Sequence, residues 1–294
     1  MPKRLKPIND FIFKKLFGEE EAKDSLISFL NAILGLKDAK KLVTIEIIGN
    51  TELLKELIED KTSRLDVRAK TTDGTQYDIE IQLTDQKNMD KRTLFYWGKM
   101  FLEGIKKGQD YIELGKVITI NILNFNFLAI DKFHSTFHLW EDSRKDFMLT
   151  DLVEIRFIEL PKFRALNNKN FRENPLHRWL SFLEEDIPDD ILKELIEMDS
   201  SIKKAEERLE YLSSDPYTIE LYKKREESEH EKANMISSAK AEGRLEGKLE
   251  GKLEEWLEVA LEAIKEGLPL NVVAKITGLN IDEVKELVSK IANN

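Results

Sequence analysis

Apolar and polar residues alternate along the stretch from residue 64 to residue 83. Before Gly74 the apolar positions are Leu65, Val67 and Ala69, and after it they are Tyr77, Ile79, Ile81 and Leu83. A period of two residues is typical of a β-strand with one face turned to a core. The pattern therefore predicts a two-stranded hairpin with one apolar and one polar face.

The length of the turn decides which residues of the hairpin face each other. A two-residue turn at Asp73 and Gly74 would place Asp66 opposite Ile81, on the apolar face. A three-residue loop, residues 72–74, with Gly74 in the left-handed conformation pairs Asp66 with Glu80 instead. We therefore expect these two carboxylates to be cross-strand neighbours, with Cβ atoms about 5 Å apart.

Two facing carboxylates repel each other unless a positive charge lies between them. A hard divalent cation binds carboxylate and carbonyl oxygens and keeps water ligands for a substrate phosphate. We expect Mg²⁺, or Mn²⁺ or Ca²⁺ in its place, to be held by Asp66, Glu80 and the main-chain carbonyl of Ile81. Asp78 on the same face is either a ligand of a second ion or a solvated strand acid.

Helical and strand periods alternate along the rest of the first half. Helices are predicted over residues 10–17, 20–34 and 90–107, and strands over residues 42–48, 117–125, 133–140 and 152–160. A helix between two strands indicates a crossover in a mixed sheet with a parallel pair. In the helix of residues 90–107 the inner side is predicted to hold Leu94, Trp97, Phe101, Leu102 and Ile105, and the outer side Arg92, Lys99, Lys106 and Lys107.

The second half of the chain has a helical pattern from residue 175 onward, including a long charged run over residues 202–263. Glycines recur at positions 243, 247 and 251, and leucines at positions 245, 249 and 253. This run is either a solvated connector or a helix for self-association. Residues 268–287 resemble a helix-turn-helix with acidic residues on the second helix, and the predicted core is Ala274, Ile276, Gly278, Leu279, Ile281, Val284 and Leu287.

Composition limits the class of protein. The chain has 294 residues, is 41% hydrophobic and 35% charged, and contains no cysteine. No apolar run reaches the about 20 residues of a membrane span, so we expect a cytoplasmic protein that does not enter the membrane. The net charge of −10 argues against a general nucleic-acid coat, although residues 1–17 and 87–107 are locally basic.

The hairpin acids also carry a specific resemblance. Asp66, followed by Asp78-Ile79-Glu80-Ile81-Gln82, resembles the recombination-promoting nuclease and transposase family of the PD-(D/E)XK superfamily, which has Gln where most of the superfamily has Lys. Further similar stretches are residues 9–18, Arg92–Trp97, Gly108 with Tyr111, residues 117–123, residues 159–163 and the glycine-spaced tail.

The resemblance implies an α/β fold of mixed α+β type. The expected core is restriction-endonuclease-like, with a central mixed sheet flanked by helices, followed by an extended helical C-terminal region. We expect a nuclease core over residues 1–165, a helical extension over residues 166–262, and a small helix-turn-helix-like module over residues 263–294.

The resemblance also implies metal-dependent hydrolysis of DNA phosphodiester bonds, connected with recombination or mobile DNA. The expected catalytic residues are Asp66, Glu80, Gln82 and Asp10, although Asp10 also fits a helix N-cap. The amide of Gln82 can orient an attacking water but supplies no positive charge. The residues expected to contact DNA are Arg64, Arg68, Arg92, Lys99 and Lys14.

The same residues also predict the partners of the protein and leave two alternative functions open. DNA is the expected substrate, and the C-terminal helical region is expected to form a homo-oligomer. A protein of this fold that binds DNA without cleaving it is the first alternative, because Gln82 lacks the charge of lysine. An interaction protein organised by its helical tail, with solvated hairpin acids, is the second.

Overall fold

The computed structural model describes residues 4–48 and 67–292, and side chains up to residue 288. The chain divides into two compact units, Met1–His230 and Glu231–Asn294. Within the described residues, no helix combines the length and the apolar composition that a bilayer crossing requires.

The first unit is built on a mixed sheet, as predicted. Its described strands are ordered β1-β2-β3-β4-β6-β5. Their bounds are Glu46–Ile47 (β1), Val67–Lys70 (β2), Gln76–Gln82 (β3), Val117–Leu123 (β4), His134–Trp140 (β5) and Met148–Glu159 (β6). Strand β3 is antiparallel to β2 and parallel to β4, and β4 is parallel to β6. The parallel pair expected from a crossover helix is therefore confirmed.

The helices of this unit precede, connect and follow the strands. They are Asp10–Phe17 (α1), Lys23–Leu34 (α2), Met89–Glu103 (α3), Leu160–Arg164 (α4), Pro175–Phe182 (α5), Asp189–Met198 (α6), Ser200–Ser214 (α7) and the first part of Pro216–Lys265 (α8). The single helical run predicted from residue 202 is interrupted at Asp215, whose carboxylate accepts from the Thr218 main chain at 2.8 Å. Pro216 then begins α8, because proline fits the first helical position but lacks the N–H that a continuous helix needs.

One face of the sheet carries the apolar residues of the hairpin and packs against α1, α2 and α5. Fully buried aromatic rings from these helices, among them Phe17, Phe29 and Trp179, lie 5.0 to 5.6 Å apart by ring centroids. The same core continues to Leu221 and Tyr222 of α8. It therefore extends past residue 165, the expected end of the nuclease core, and the three expected domain boundaries stay a prediction.

The opposite face of the sheet is covered by α3. Met89 and Trp97 pack there with apolar residues of β4 and β6, including Leu123 and Phe157. Because both faces of β3 are covered, its polar residues from Gln76 to Glu80 are buried together with its apolar ones. The alternation of the sequence correctly separates the two faces, but the polar face lies beneath a helix.

The second unit contains the end of α8 with helices Leu270–Thr277 (α9) and Ile281–Ala292 (α10). Gly278, at φ +71°, ends α9 in the left-handed conformation. The buried residues are Ala260, Ala263, Val273, Thr277, Leu279 and Val284. Ile276 and Ile281 were predicted in this core but are 55% and 44% exposed, because Val273 and Thr277, four residues apart, form the inner side of α9.

Candidate active site

The hairpin has the predicted register over its described part. The Thr71 main-chain N–H donates to the Thr75 carbonyl at 2.9 Å, and Gly74 has φ +89°. Val67 lies opposite Ile79 and Arg68 opposite Asp78. These pairs confirm the three-residue loop over residues 72–74. Asp66, which was predicted to face Glu80, and Arg64 lie outside the described residues.

Glu80 is a buried carboxylate near the carboxyl end of β3. It is 5% exposed. Its Oε1 accepts from Arg92 Nη2 at 2.7 Å and from Arg92 Nε at 3.0 Å. The Gln82 side-chain amide donates to the same oxygen. Several donors therefore converge on one carboxylate oxygen, which is the arrangement that holds a buried negative charge.

Arg92 does not lie on the outer side of its helix, as the sequence predicted. It belongs to the first turn of α3, where its main-chain N–H donates to the Asn88 carbonyl at 2.9 Å, and its side chain points to the sheet and Glu80. Leu94 and Leu102, predicted on the inner side, are 54% and 72% exposed. The prediction was wrong because α3 covers a polar strand face, on which an arginine can form an ion pair and a leucine cannot.

A buried polar network fastens α3 to the sheet beside Glu80. The hydroxyl groups of Thr93 and Thr119 are 3.1 Å apart, and Asn121 Nδ2 donates to Thr93 Oγ1 at 3.0 Å. Asn121 is the β4 residue opposite Glu80 in the parallel register. Thr93, Thr119 and Asn121 were not predicted as site residues from the sequence. The signal was present in strand 117–123, where Thr119 and Asn121 interrupt an otherwise apolar run.

Asp78 lies two residues before Glu80 on the same face of β3. It is 3% exposed, so the alternative of a solvated strand acid does not apply. Arg68 Nε lies 3.9 Å from Asp78 Oδ1, and Arg68 Nη1 lies 3.3 Å from a carboxylate oxygen of Glu103. The guanidinium of Arg68 is thus held between two acids at this end of the hairpin.

Asp10 has a structural partner in α8. The N-cap of α1 is Asn9, whose side chain accepts from the main chains of Phe11 and Ile12. The Asp10 carboxylate accepts from Arg225 Nε at 2.9 and 3.1 Å and also from Arg225 Nη2. The catalytic role predicted for Asp10 stays a prediction, and this ion pair explains the acid without it.

The two lysines predicted to contact DNA lie on different helices. Lys14 is partly buried on α1. Lys99 projects from α3 with its side chain 54% exposed, and its Nζ lies 4.0 Å from Glu103. Of the two, Lys99 offers the more accessible charge.

The carbonyl of Ile81 points toward the β2 side of the hairpin. The Gln82 carbonyl accepts from Asn124, which follows β4, at 2.9 Å. Main-chain groups of successive strand residues point to opposite sides, so the Ile81 carbonyl faces away from β4. This orientation agrees with the prediction that the Ile81 carbonyl and Asp66 bind the same cation.

The donor set fits a hard divalent cation in its chemistry, because Asp78, Glu80 and Ile81 all offer oxygen. Among residues 4–48 and 67–292, however, no group of three His, Cys, Asp or Glu side chains is gathered closely enough to hold a metal ion. A cation at Glu80 therefore needs further oxygen ligands, for which Asp66, water and substrate phosphate are the candidates.

A mixed sheet flanked by helices, with Asp-x-Glu-x-Gln on a central strand, defines a nuclease-like protein of PD-(D/E)XK type. The family model described as PD-(D/E)XK nuclease family transposase matches residues 7–239. The chain belongs to this family, and the resemblance noted in the sequence is confirmed. Membership indicates a nuclease-type hydrolase with DNA as substrate and a general use of divalent metal ions. No curated protein and no solved structure matches the chain.

Proposed function

We propose that the protein is a metal-dependent DNA endonuclease that hydrolyses phosphodiester bonds. The observation that carries the proposal is the Glu80 carboxylate, 5% exposed, on a strand that also presents Asp78 and Gln82 on the same face. Buried acids with converging donors are uncommon unless they have a function or a structural pair. A cytoplasmic place and a connection with recombination or mobile DNA belong to the same proposal.

The proposed metal ligands are Asp66, Glu80 and the Ile81 carbonyl, with Asp78 as a ligand of a second ion or of a water. A bound Mg²⁺, or Mn²⁺ or Ca²⁺, would neutralise charge on the scissile phosphate and lower the pKa of an attacking water. Asp10 is retained as a predicted member of the catalytic set.

Gln82 is proposed to orient the attacking water. Its amide N–H₂ group donates to Glu80 Oε1, which fixes the side chain and turns the amide oxygen away from that carboxylate. An amide oxygen accepts a hydrogen bond from water but adds no positive charge. The charge that lysine supplies elsewhere in the superfamily must therefore come from an arginine or another lysine.

The proposed DNA path uses a local basic rim on an acidic protein. Arg68 and Arg92 border the polar face of the hairpin, and Lys99 lies further along α3. Arg64 and Lys14 complete the predicted set. Because the net charge is −10, we expect binding that weakens steeply as salt rises and that depends on these few cations.

The experiment is a plasmid-nicking assay in Mg²⁺ or Mn²⁺ with wild type, Asp66→Asn and Glu80→Gln. Glu206→Gln is the matched control, because Glu206 is also 5% exposed and also pairs with an arginine, Arg4, at 3.0 Å. Nicking by wild type and Glu206→Gln alone supports the proposal. Equal nicking by Glu80→Gln refutes it.

A second candidate is a DNA-binding protein that does not cleave. It is favoured by Arg92, which already provides a counter-charge for the carboxylate that a metal would use. Equal DNA binding by all variants, with nicking by none in either metal, would support this candidate.

Self-association through α8 is a further part of the proposal. Leu245, Leu249 and Leu253 are 61%, 59% and 47% exposed in the second unit. An arginine or lysine precedes each leucine and a glutamate follows it. In a parallel pair of helices, the basic residue before a leucine of one helix lies beside the glutamate after a leucine of the other helix. An antiparallel pair would instead place residues of like charge side by side. Sedimentation of wild type and Leu249→Glu tests this, and an unchanged mass would refute it.

A further inference from the structure

The pairing between Arg92 and Glu80 differs in geometry from two other arginine–carboxylate pairs of this unit, Arg4 with Glu206 and Arg225 with Asp10. Arg4 donates to both carboxylate oxygens of Glu206, and Arg225 donates to both oxygens of Asp10. Arg92 directs both Nε and Nη2 to one oxygen, Oε1 of Glu80. A two-oxygen fork is the stronger and more specific geometry. The contact of Arg92 with Glu80 Oε1 is therefore weaker than a two-oxygen fork and more easily exchanged for another partner.

The side chain of Arg92 is also placed to move without leaving the site. Its guanidinium carbon lies 5.8 Å from the ring centroid of Tyr96, one helical turn later. The side chain is 19% exposed, close to the 22% of Arg4 and above the 3% of Arg225. Thr93, the next residue of α3, is held by Thr119 and Asn121, so the helix keeps the start of the Arg92 side chain fixed.

A divalent cation and a guanidinium cannot both lie against Glu80 Oε1 without repelling each other. Before the cation binds, the buried carboxylate needs another positive charge, because an uncompensated buried charge is strongly unfavourable. Arg92 meets that need. When a cation binds, the guanidinium must leave the oxygen, and the phosphate of bound DNA is a negative charge that it can then contact.

We propose that Arg92 is a resident counter-ion of Glu80 that a divalent cation displaces, and that the displacement turns the guanidinium toward the scissile phosphate. Arg92 is thus a positioning residue whose contact depends on the metal, and it supplies the charge that Gln82 lacks. This inference rests on the proposed function, because it needs a cation at Glu80. It also makes metal binding weaker than the acids alone would give.

The first test measures Mn²⁺ affinity of EDTA-treated protein by calorimetry, independently of cleavage. We expect Arg92→Gln to bind Mn²⁺ about tenfold more tightly than wild type, because no cation has to be displaced. Arg92→Lys keeps the charge and should stay within about threefold of wild type. Arg92→Met, which retains the aliphatic stem beside Tyr96, is the second neutral variant should Arg92→Gln fold poorly.

The matched control is Arg178→Gln. Arg178 also lies in the first turn of its helix, has a side chain 15% exposed, and pairs with Asp199 at 3.4 Å. Its substitution should leave Mn²⁺ affinity unchanged. Equal or weaker Mn²⁺ binding by both neutral variants of Arg92 overturns the inference.

The second test follows a fluorescent duplex by anisotropy in Ca²⁺ and in EDTA. Ca²⁺ should raise the DNA affinity of wild type about fivefold more than that of Arg92→Gln, since both proteins keep the cation beside the phosphate and only wild type adds a charge-assisted contact. A full gain in Arg92→Gln contradicts the transfer of the guanidinium to phosphate.

Glu80→Gln in the same calorimetric series separates this inference from the proposed function. If wild type and Glu80→Gln bind Mn²⁺ equally, the proposed metal site is wrong and both ideas fail. If Glu80 is needed for binding but neutral variants of Arg92 do not bind more tightly, the metal site stands and the displacement is refuted.

Discussion

Replacing Arg225 by leucine tests how firmly the start of α8 is fastened to α1. The Arg225 and Asp10 side chains are 3% and 13% exposed, and Arg225 Nε donates to Asp10 Oδ1 at 2.9 Å. Exposed ion pairs contribute about 0–1 kcal/mol, whereas removal of one partner of a buried pair costs about 3–5 kcal/mol. Glu229, 3.4 Å from Arg225 Nη2, also loses this contact.

We therefore expect Arg225→Leu to lower the free energy of unfolding by about 3 kcal/mol, near the lower end of the buried range because Asp10 keeps some solvent contact. For a unit of this size the change corresponds to a fall in Tm of about 6–12 °C. Urea unfolding followed by tryptophan fluorescence measures it, since Trp179 is fully buried in the same core.

A double-mutant cycle assigns the loss to the pair. Asp10→Asn in the Arg225→Leu background should recover part of the stability, because the buried negative charge is gone, and the coupling energy should be about 2 kcal/mol. The exposed pair of Arg172 and Glu194 is the control, and Arg172→Leu should change stability by less than about 1 kcal/mol. A loss below about 1 kcal/mol for Arg225→Leu, or a strictly additive cycle, refutes the reasoning.

The same variants separate the two roles of Asp10. If Asp10 belongs to the catalytic set, Asp10→Asn loses nicking activity at temperatures where its circular dichroism is unchanged. If the acid only anchors α8, nicking follows the folded fraction in both Asp10→Asn and Arg225→Leu.

Three further predictions concern the turn, the network under α3 and pH. Gly74→Ala should lower the free energy of unfolding by about 1–2 kcal/mol in urea titrations, because a φ of +89° suits glycine. Gly74→Asn should lower it by less, and equal losses for the two variants would contradict this prediction. Thr93→Val should cost about 1–3 kcal/mol in the same titrations, because Thr119 and Asn121 lose a buried partner, whereas Thr93→Ser should cost less. Burial, and then the Arg156 guanidinium, lowers the pKa of His134 to about 4. The unfolded chain therefore binds more protons between pH 6.5 and 4, and stability falls as the pH falls through this window. His134→Gln should remove about 1–2 kcal/mol of that fall after allowance for solvent screening, and an unchanged pH profile would refute the assignment.

Local sequence patterns predicted the hairpin and much of its surroundings. A period of two residues and a glycine suited to positive φ fix a register locally, so the pairing of Arg68 with Asp78 followed from the turn alone. The parallel pair of β3 and β4 followed because a connecting helix leaves few other topologies. The resemblance of Asp78, Glu80 and Gln82 to one family was also evident from the sequence, and the family match covers residues 7–239.

The element that covers the polar face of the hairpin could not be predicted from local patterns, because it depends on the packing of distant segments. Helical periodicity placed Leu94 and Leu102 inside because it assumes an apolar partner, whereas the strand beneath α3 presents Glu80, and the guanidinium of Arg92 turns inward to meet it. The pairing of Asp10 with Arg225 joins residues more than two hundred positions apart, and no local pattern encodes such a contact. Periodicity reports which side of an element is apolar, but the partner of a buried charge depends on which distant element packs over it.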